Sequence, residues 1–402
     1  MREITHFGLA VLVVAGIVVV AVLSNKVSER VPIPAPAIFL LAAAATVHFW
    51  PSVGRRISIL EVERIAVVAL ILILFDGGAR VGWARFRDAW IPISLLGVFG
   101  TFTTAGLVAL AGHYLFDFSW TTAGILGAAL APTDPAVMFS VLGKREVSGR
   151  TGTILEGESG VNDPVGIALM IGMIEFATHA DATFWIVVRE FLLEMSVGLA
   201  IGIAGAWLLL ESLRRIRLAN PALYPLGTLA AAGVIYGVAA VAHGSGFLAV
   251  FVAGILIGDA DYPGRDDVER FHTSLASLAE VVVFVALGLT VHEVNLEPVW
   301  KDGLLIALIL TFLARPIGIG PFLAPLRLRH GERVFVMWSG LKGAVPILLA
   351  AFALLQEVSG SERIYGIVFV VVAFSVIVQG GSVPFVAKRL GIPMRLVHRG
   401  PP

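Results

Sequence analysis

One short segment holds several side chains that could bind a cation or a proton. Between Glu158 and Pro164 the chain reads Glu-Ser-Gly-Val-Asn-Asp-Pro, within a largely apolar stretch. Residues four apart share a helix face, so Ser159 lies over Asp163 and Glu158 lies over Asn162. A hydroxyl and a carboxylate are suitable oxygen ligands for a hard cation. The spacing therefore predicts a site at Ser159 and Asp163 at which protons and cations compete.

The residues around Asp163 define how many protons this site could hold. Asn162 supplies an amide but no titrating charge, so the Asn-Asp dipeptide offers one proton site. Pro164 has no backbone donor and disfavours α geometry at the preceding residue. We therefore expect the helix to loosen at Asp163. The alternative is that Asp163 is only a hydrogen-bonded carboxylate at a helix kink.

Two interruptions in other apolar stretches carry charges of opposite sign. Asp134, between Thr133 and Pro135, is placed to cap the second half of a broken helix, where its charge opposes the positive end of the helix dipole. Lys342 lies in a glycine-rich break at 339–346 and is placed to face carbonyls at the end of a preceding half-helix. These residues are compatible both with dipole compensation and with a part in coordinating a substrate.

Further ionisable residues lie inside apolar stretches, where each is expensive to insert. Glu158 needs a counter-charge in a low-dielectric bundle, and Arg315 is the candidate partner in a mainly structural pair. Asp76, at the end of the apolar run 65–75, could line the same cavity or stand at a helix end near the cytoplasmic interface. The weaker candidates are Glu175, Glu190, Glu194 and Glu280, of which the two at 190 and 194 can pair with Arg189.

The composition requires a membrane around these residues. Of 402 residues, 57% are hydrophobic and 14% are charged, and the mean hydropathy is +0.90. Soluble domains are about 25% charged. With no cysteine, disulfides and thiolate chemistry are excluded, and 29 basic against 29 acidic residues leave no footprint for nucleic acid. The fold class is an all-α polytopic membrane protein.

Long apolar runs of about 20 residues predict membrane-spanning helices. We predict thirteen spans, at 6–24, 33–50, 62–79, 89–115, 119–143, 152–178, 184–211, 222–242, 245–259, 272–292, 303–326, 333–357 and 364–388. The first is expected to be retained rather than cleaved as a signal peptide. The loops on one side of the membrane then carry six basic residues and the loops on the other side carry twenty. The remaining three, Arg189, Arg315 and Lys342, lie inside spans. This split predicts an outside N-terminus and a cytoplasmic C-terminus in the inner membrane.

The interrupted spans are the fifth and the twelfth, and each is the fifth member of a six-span block, 1–6 and 8–13. An odd number of spans separates equivalent helices, so the two blocks are inverted in the membrane. Inverted repeats with paired broken helices are typical of secondary transporters with a binding site near the bilayer midplane. We therefore expect a transporter rather than an enzyme, with no cofactor.

Four motifs, in this order on the predicted spans, resemble those of the NhaP-like monovalent cation:proton antiporters. They are Leu-Phe-Asp-Gly-Gly at 74–78, Ala-Pro-Thr-Asp-Pro at 131–135, Gly-Glu-Ser-Gly-Val-Asn-Asp-Pro at 157–164 and Gly-Leu-Lys-Gly-Ala-Val-Pro at 340–346. The similarity covers essentially the whole chain. It implies a homodimer in the bilayer, with spans 1–3 and 8–10 as the dimerisation part (about 1–80 and 218–295). Spans 4–6 and 11–13 would form a mobile core (about 85–178 and 300–390), and span 7 a linker (about 184–215).

The resemblance also implies roles for individual residues. Asp163 would bind either the cation or the proton, with Ser159 beside it and Thr133 coordinating at the helix break. Asp134 and Asp76 would assist directly or through water, while Glu158 and Arg315 match the family's core ion pair. The Asn-Asp dipeptide at 162 and 163 implies one-for-one, electroneutral exchange of Na⁺, K⁺ or Li⁺ for H⁺ by an elevator movement.

This chain departs from the family pattern at two positions. Asp76 stands where many sodium-handling members have glutamate, and Lys342 stands where arginine is frequent, which loses bidentate geometry. The Phe-Asp-Gly-Gly version resembles the potassium/proton branch linked to cell-volume control. That branch commonly carries a cytoplasmic regulatory domain, which we do not expect here because the chain runs only to Pro402 after the last predicted span.

Three other functions compete with exchange. An intramembrane aspartyl protease needs two carboxylates that share a proton, a role open to Asp134 and Asp163, but no Gly-x-Gly-Asp pattern is present. A channel would need a filter-like carbonyl segment, which is not apparent. A symporter of an organic anion would need a basic residue on the face of Asp163. The residues therefore favour cation:proton antiport.

Overall fold

The computed structural model describes residues 34–50, 57–142, 145–179, 183–216, 218–293 and 296–396, together with Val19 and Gly54. The predicted first span, 6–24, lies outside these residues. Within them the chain is helical except for one two-stranded sheet and the connecting turns.

The elements follow one another without a long helix-free segment in the described ranges. The first are α1 (Ala35–Phe49), α2 (Ile59–Ser94), α3 (Thr101–Phe116), α4 (Trp120–Leu130), α5 (Pro135–Leu142), β1 (Arg145–Val147), α6 (Gly149–Thr178) and α7 (Phe184–Arg215). Then come α8 (Leu223–Val241), α9 (Gly246–Gly258), α10 (Arg265–Leu289), α11 (Trp300–Ile309), α12 (Arg315–Leu323), α13 (His330–Trp338), α14 (Ala344–Leu355), α15 (Ser361–Phe374), α16 (Gly381–Arg389) and β2 (Met394–Leu396). In the part of the chain that the structure describes, three π-helical segments join consecutive helices, at Leu95–Gly100, Leu310–Ala314 and Ser375–Gly380.

The helices are those of a multi-pass membrane protein. In the described part of the chain, seven helices, counted across their breaks, are long and apolar enough to cross a bilayer. They comprise 120–142, 149–178, 184–215, 223–241, 265–289, 300–323 and 361–389. Helices α1, α9 and α14 are shorter and apolar. Every predicted span from the second onward overlaps a helix, while the total of thirteen stays a prediction.

The segment between the third and fourth predicted spans, 80–88, contains a bend rather than a helix-free loop. Helix α2 runs from Ile59 to Ser94 and bends at Gly82, whose φ of 66° is left-handed. The Asp259 carboxylate fills the space beside Gly82, 2.6 Å from where a Cβ would lie, and accepts a hydrogen bond from Ala84 N at 2.7 Å. Asp259, far along the chain, caps the part of α2 that follows the bend. The local hydropathy therefore did not show that this part of the helix begins before residue 89.

The predicted interruptions are confirmed as breaks between short helices. Helices α4 and α5 are separated at 131–134, and α13 and α14 at 339–343. The two breaks lie directly against each other, since Asp134 N donates to Leu341 O at 2.8 Å. Two broken segments from distant parts of the chain therefore form one polar centre within the apolar bundle.

Close packing of small residues joins the helices outside this centre. A Cβ on Gly78 of α2 would lie 2.3 Å from Phe251 O, and one on Gly254 of α9 would lie 2.4 Å from Phe75 O. Such contact between backbones is typical of membrane helices, where small residues permit close approach. Helix α10 also packs on α1 and α2, and α6 packs on α2, α4 and α7.

A short sheet that the sequence did not indicate ties two connecting segments together. Strands β1 and β2 are antiparallel, with Glu146 opposite Arg395. These two side chains also form an ion pair at 3.0 Å. The sheet therefore attaches the segment after α16 to the segment that precedes α6.

Candidate cation and proton site

The break between α4 and α5 is held by two side chains of α6. Ser159 Oγ donates to Thr133 O at 2.6 Å, and Asn162 Nδ2 donates to Thr133 Oγ1 at 2.7 Å. Thr133 N in turn donates to Asn162 Oδ1 at 3.2 Å. All three residues are buried. The hydrogen bonds use the hydroxyl donor of Ser159 and one N–H of the Asn162 amide, and they leave hydroxyl lone pairs that could bind a cation.

Asp163 lies next to this clamp and differs from its neighbours in having a free oxygen. The residue is 6% exposed, and its Oδ1 atom is buried without a hydrogen bond from any described residue. The charged groups close enough to act on it are Asp134 and Lys342. Buried carboxylates are ordinarily hydrogen-bonded or paired, so this oxygen has capacity for a proton or a cation.

The expected loosening of the helix at Asp163 does not interrupt α6. The helix runs continuously from Gly149 to Thr178 with Pro164 inside it. Since proline lacks an N–H, the carbonyl of Gly160 has no helical donor at this position. The proline therefore frees one carbonyl one turn before Asp163 without breaking the helix that carries it.

Asp134 caps the second half of its own broken helix and reaches the other one. Its Oδ1 atom accepts a hydrogen bond from Ala136 N at 2.8 Å, and the amides of Val137 and Ala344 also bond to its carboxylate. These amides belong to the N-termini of α5 and α14, where a negative charge is stabilised. A Cβ on Gly343 would lie 1.8 Å from Asp134 Oδ2, so only glycine fits at this crossing.

Lys342 faces the end of a half-helix from the other broken segment. Its Nζ atom donates to Ala131 O at 2.9 Å and to Pro132 O at 2.8 Å. These carbonyls follow α4, whereas the half-helix that precedes Lys342 in the chain is α13. The side chain is fully enclosed, with 1% of the residue exposed. Lys342 of the second break therefore faces the end of α4, and Asp134 of the first break faces the start of α14.

The predicted pair of Glu158 and Arg315 is formed. Arg315 Nη2 lies 2.8 Å from Glu158 Oε1, and the side chains are 5% and 2% exposed. The pair joins α6 to α12. Arg315 also lies directly against the second break, because a Cβ on Gly340 would be 2.0 Å from its Nε atom.

Asp76 stands apart from these residues. Its Oδ2 atom pairs with Arg80 Nε at 2.7 Å, and its Oδ1 atom accepts a hydrogen bond from Thr273 Oγ1 at 3.0 Å. The ion pair lies within α2, and the hydrogen bond joins α2 to α10. Among the described residues, no hydrogen bond or ion pair joins Asp76 to Thr133, Asp134 or Asp163. The structure therefore groups the other predicted residues and leaves Asp76 outside the group.

Two further residues that sequence reasoning missed hold the second break. Lys342 N donates to Ser375 Oγ at 2.8 Å, and Ser375 Oγ donates to Gln379 Oε1 at 3.0 Å. Gln379 Nε2 then donates to Trp338 O at 2.6 Å. Both residues are neutral, so they lack the charge that marks the other site residues within apolar spans. The available signal was their spacing of four in an otherwise apolar span.

The chemistry of the centre is that of hard oxygen ligands. It offers one carboxylate oxygen without a partner, two hydroxyl groups and nearby backbone carbonyls, and such groups suit alkali cations rather than soft metals. No three His, Asp or Glu side chains in the described ranges converge as ligands of a resident metal ion. A single carboxylate can be neutralised by one proton or by one monovalent cation.

This chain belongs to the sodium/hydrogen exchanger family, whose transmembrane family model matches residues 9–389. Proteins of this family are secondary transporters rather than enzymes, so the intramembrane protease is not supported. The chain is 33% identical over 388 residues to the K(+)/H(+) antiporter NhaP of Alkalimonas amylolytica, covering 95% of this chain and 67% of the relative. It is 31% identical to the K(+)/H(+) antiporter NhaP2 of Shewanella sp. strain ANA-3, covering 92% and 65%. The chain therefore spans about two thirds of the length of these relatives.

Other matches agree with this assignment. The chain is 28% identical to the Na(+)/H(+) antiporter NhaH of Halobacillus aidingensis, covering 83% of this chain and 85% of that protein. Its fold matches the solved structure of the sodium proton antiporter MjNhaP1 from Methanocaldococcus jannaschii, with a TM-score of 0.77 at 20% identity. That match covers 96% of this chain and 99% of the other, so the two share their fold over nearly their whole lengths.

Proposed function

We propose that this protein exchanges a monovalent cation, Na⁺, K⁺ or Li⁺, for a proton across the membrane, and that Asp163 binds the two in alternation. The observation that carries this proposal is the buried Oδ1 atom of Asp163, which has no partner among the described residues. An ionisable group costs free energy inside a membrane, and an uncompensated one marks an ion path by default. The names of the relatives, which include both potassium and sodium antiporters, support the same class of substrate.

The neighbouring residues complete a coordination sphere for the cation. Ser159 Oγ, one helical turn before Asp163, would provide oxygen ligands together with the hydroxyl and carbonyl of Thr133, while Asn162 fixes Thr133 in place. Asp134 lies close enough to stabilise a bound cation electrostatically. Asp76 would assist through water, since it is bonded elsewhere.

The number of carboxylates at the site determines the stoichiometry. Asp163 is neutralised by one proton in one loaded state and by one monovalent cation in the other. Asn162 cannot carry a second proton at neutral pH. Both loaded states have the same charge, so exchange is one-for-one and electroneutral, and the membrane potential does not drive it.

The arrangement of helices supports an elevator movement. We define the core part as spans 4–6 and 11–13 and the scaffold part as spans 1–3 and 8–10, connected by α7. The proposed ligands and the Glu158–Arg315 pair lie on core elements α4 to α6 and α12. The Asp76–Thr273 bond lies within the scaffold part. The core would carry the site across the membrane against the scaffold of a homodimer.

We also propose an orientation of the protein in the bilayer. Thirteen spans in two inverted six-span repeats place the N-terminus outside and the C-terminus in the cytoplasm of an inner membrane. The support is the excess of basic residues in the loops of one side. The crossing of the two broken segments at Asp134 and Leu341 is consistent with such a repeat.

Reconstituted exchange tests the role of Asp163. Proteoliposomes with a preset pH gradient receive sodium, potassium, lithium or choline in turn, with and without a clamp of the membrane potential. We expect cation-dependent, clamp-insensitive dissipation that Asp163→Asn abolishes. The matched control is Asp88→Asn, because the Asp88 side chain is 79% exposed and should leave exchange unchanged.

Two outcomes would contradict the proposal. Full exchange by a folded Asp163→Asn variant would show that the shared site lies elsewhere. No cation-dependent flux from the folded and inserted wild-type protein would point to another substrate class, although family membership would stand.

A further inference from the structure

The bend in α2 is held by a residue that follows another helix. Gly82 has a left-handed φ of 66°, and the helix resumes directly after it. The first amides of a helix have no partner within that helix. One of them, Ala84 N, donates to Asp259 Oδ2 at 2.7 Å. Asp259 directly follows α9, so its carboxylate caps the resumed helix as an N-cap side chain would.

The part of α2 before the bend is fixed on α9. A Cβ on Gly254 would lie 2.4 Å from Phe75 O, and one on Gly258 would lie 2.2 Å from Ala79 O. The two helices therefore touch through their backbones, with no side chains between them that could rearrange. Close-packed contacts resist deformation, so α9 and the first part of α2 form one rigid unit. Both belong to the scaffold part.

The part of α2 after the bend is fixed on α6, the helix that carries Asp163. A Cβ on Gly157 of α6 would lie 2.4 Å from Ile93 Cδ1, so the two helices are in close contact there. Arg85 Nη1 also lies 3.5 Å from Glu156 Oε2, and this ion pair joins the start of the resumed helix to α6. These contacts attach the second part of α2 to the core part.

The bend therefore lies where the chain passes from the scaffold part to the core part. In an elevator movement these two parts change their relative position, and the backbone between them must absorb the difference. Hinges are a few residues that absorb large changes in φ and ψ. Gly82 is suited to this because glycine has no Cβ and adopts both signs of φ. Asp259 restrains this hinge from the scaffold side, since it comes directly after Gly258.

We propose that Asp259 is a positioning residue for exchange, which sets the angle of α2 at Gly82 and thereby the position of Asp163 relative to the scaffold. This inference rests on the proposed function. Within the described structure, the Asp259 carboxylate bonds to Ala84 and not to a proposed ligand of the cation, and the residue is exposed. Its loss should change how often the core reaches a transporting position and leave the affinity of the cation site unchanged.

The first test is exchange in proteoliposomes made with Asp259→Ala. We expect the maximal rate to fall about fivefold, which corresponds to the loss of one hydrogen bond. The apparent KM for the transported cation should stay within about twofold of the wild type, because the residues around Asp163 are intact. Asp259→Asn should restore the rate, since its amide oxygen can accept the hydrogen bond from Ala84 N.

Asp261→Ala is the matched control. Asp261 is exposed in the same connection, and it bonds to Arg214 through its backbone carbonyl, which the substitution retains. This variant should leave the rate and the KM unchanged. Gly82→Ala is a second test variant, in case Asp259→Ala does not fold. Its Cβ would lie 2.6 Å from Asp259 Oδ2, so it should displace the carboxylate and lower the rate in the same way.

The second test measures the angle of α2 without transport. The chain has no cysteine, so spin labels can be attached at Val68→Cys and Ile91→Cys, whose native side chains are exposed on either side of the bend. Labelled protein is diluted with unlabelled protein, so that pairs within one chain dominate the signal. The distance distribution should be broader in Asp259→Ala than in the wild type or in Asp261→Ala, because the restraint on the hinge is lost.

The proposal requires both a lower rate and a broader distribution in the folded Asp259→Ala variant. A wild-type rate, a wild-type distribution or a raised KM would each overturn it. An asparagine variant that behaves like the alanine variant would overturn it as well. Wild-type exchange that Asp163→Asn abolishes would still uphold the proposed function in these cases, so the two hypotheses fail separately.

Discussion

Asn162 and Asp163 are adjacent in the chain and have opposite relations to their surroundings. Both ends of the Asn162 amide bond to Thr133, whereas Asp163 Oδ1 has no partner in the described structure. The amide makes the helix break rigid, and the carboxylate retains its capacity to bind. At the scale of single residues, Asn162 therefore positions the helix break, and Asp163 is the group proposed to exchange a proton for a cation.

The pair of Glu158 and Arg315 belongs to the first kind. Glu158→Gln should lower the free energy of unfolding by about 3–5 kcal/mol, because it leaves the Arg315 guanidinium buried without its counter-charge. Thermal unfolding of the purified protein in detergent measures this change. A second substitution, Arg315→Met, should restore part of the loss.

A more exposed pair offers the matched control for this prediction. Asp302 and Arg363 are 2.7 Å apart, with side chains 26% and 41% exposed. Asp302→Asn should therefore cost only about 0–1 kcal/mol. Equal losses of stability for the two variants would show that burial does not determine the strength of the Glu158 pair.

At the scale of elements, the two breaks depend on each other. Lys342 faces carbonyls that end α4, and Asp134 accepts amides that begin α5 and α14. A helical segment that follows each break also holds it. Ser159 and Asn162 of α6 hold the first break, and Ser375 and Gln379 of the π segment before α16 hold the second. Ser375 and Gln379 are four residues apart, as are Ser159 and Asp163. Four residues after its serine, the second break has the hydrogen-bonded amide of Gln379, where the first has the carboxylate of Asp163 with its unpartnered oxygen.

Gly343→Ala tests this crossing. The new Cβ would lie 1.8 Å from Asp134 Oδ2 and must displace the carboxylate or the backbone. Overpacking of this kind costs about 1–3 kcal/mol, so we expect exchange to fall about tenfold. The assay is the proton flux in proteoliposomes described above.

Gly106→Ala is the control substitution, since no atom lies within 4 Å of a Cβ at that position of α3. It should preserve exchange and add a little helix stability. If Gly343→Ala exchanged ions at the rate of this control, the contact between the two breaks would have no part in transport.

At the scale of the whole molecule, the proposed movement of core against scaffold can be blocked directly. Val283 of α10 and Val345 of α14 line the same small cavity. The chain has no cysteine, so the double variant Val283→Cys and Val345→Cys has a clean background. A short reducible thiol cross-linker should stop nearly all exchange, and reduction should restore it.

The control cross-link lies within the core part. A Cβ at Gly112 of α3 would be 3.4 Å from the Ala123 Cβ of α4, close to the spacing of disulfides. Cross-linking Gly112→Cys to Ala123→Cys should leave exchange near the wild-type rate. Normal exchange with a complete Val283–Val345 cross-link would rule out an elevator movement at this boundary.

Much of the architecture could be predicted because each local pattern has a direct physical cause. Apolar length predicted the helices from the second span onward, and proline and glycine predicted both breaks, since these residues cannot continue a helix unperturbed. The rarity of charges in such spans identified Glu158, Asp163, Arg315 and Lys342 as residues of interest. The shared family follows from motifs that combine these features.

Boundaries set by distant residues could not be predicted in this way. The bend at Gly82 depends on Asp259, which follows α9 and lies far along the chain. The strands at 145–147 and 394–396 pair segments that are separated by most of the chain. No local hydropathy pattern encodes either contact.

The sequence by itself determined that this is a helical membrane protein with two broken helices and a candidate binding acid at Asp163, because composition, period and helix breakers act over a few residues. The tertiary structure alone decided which break Lys342 compensates, that Asn162 holds Thr133, and that Asp76 bonds to Thr273. Those relations depend on how helices far apart in the chain pack, and electrostatic and hydrogen-bond partners follow from that packing.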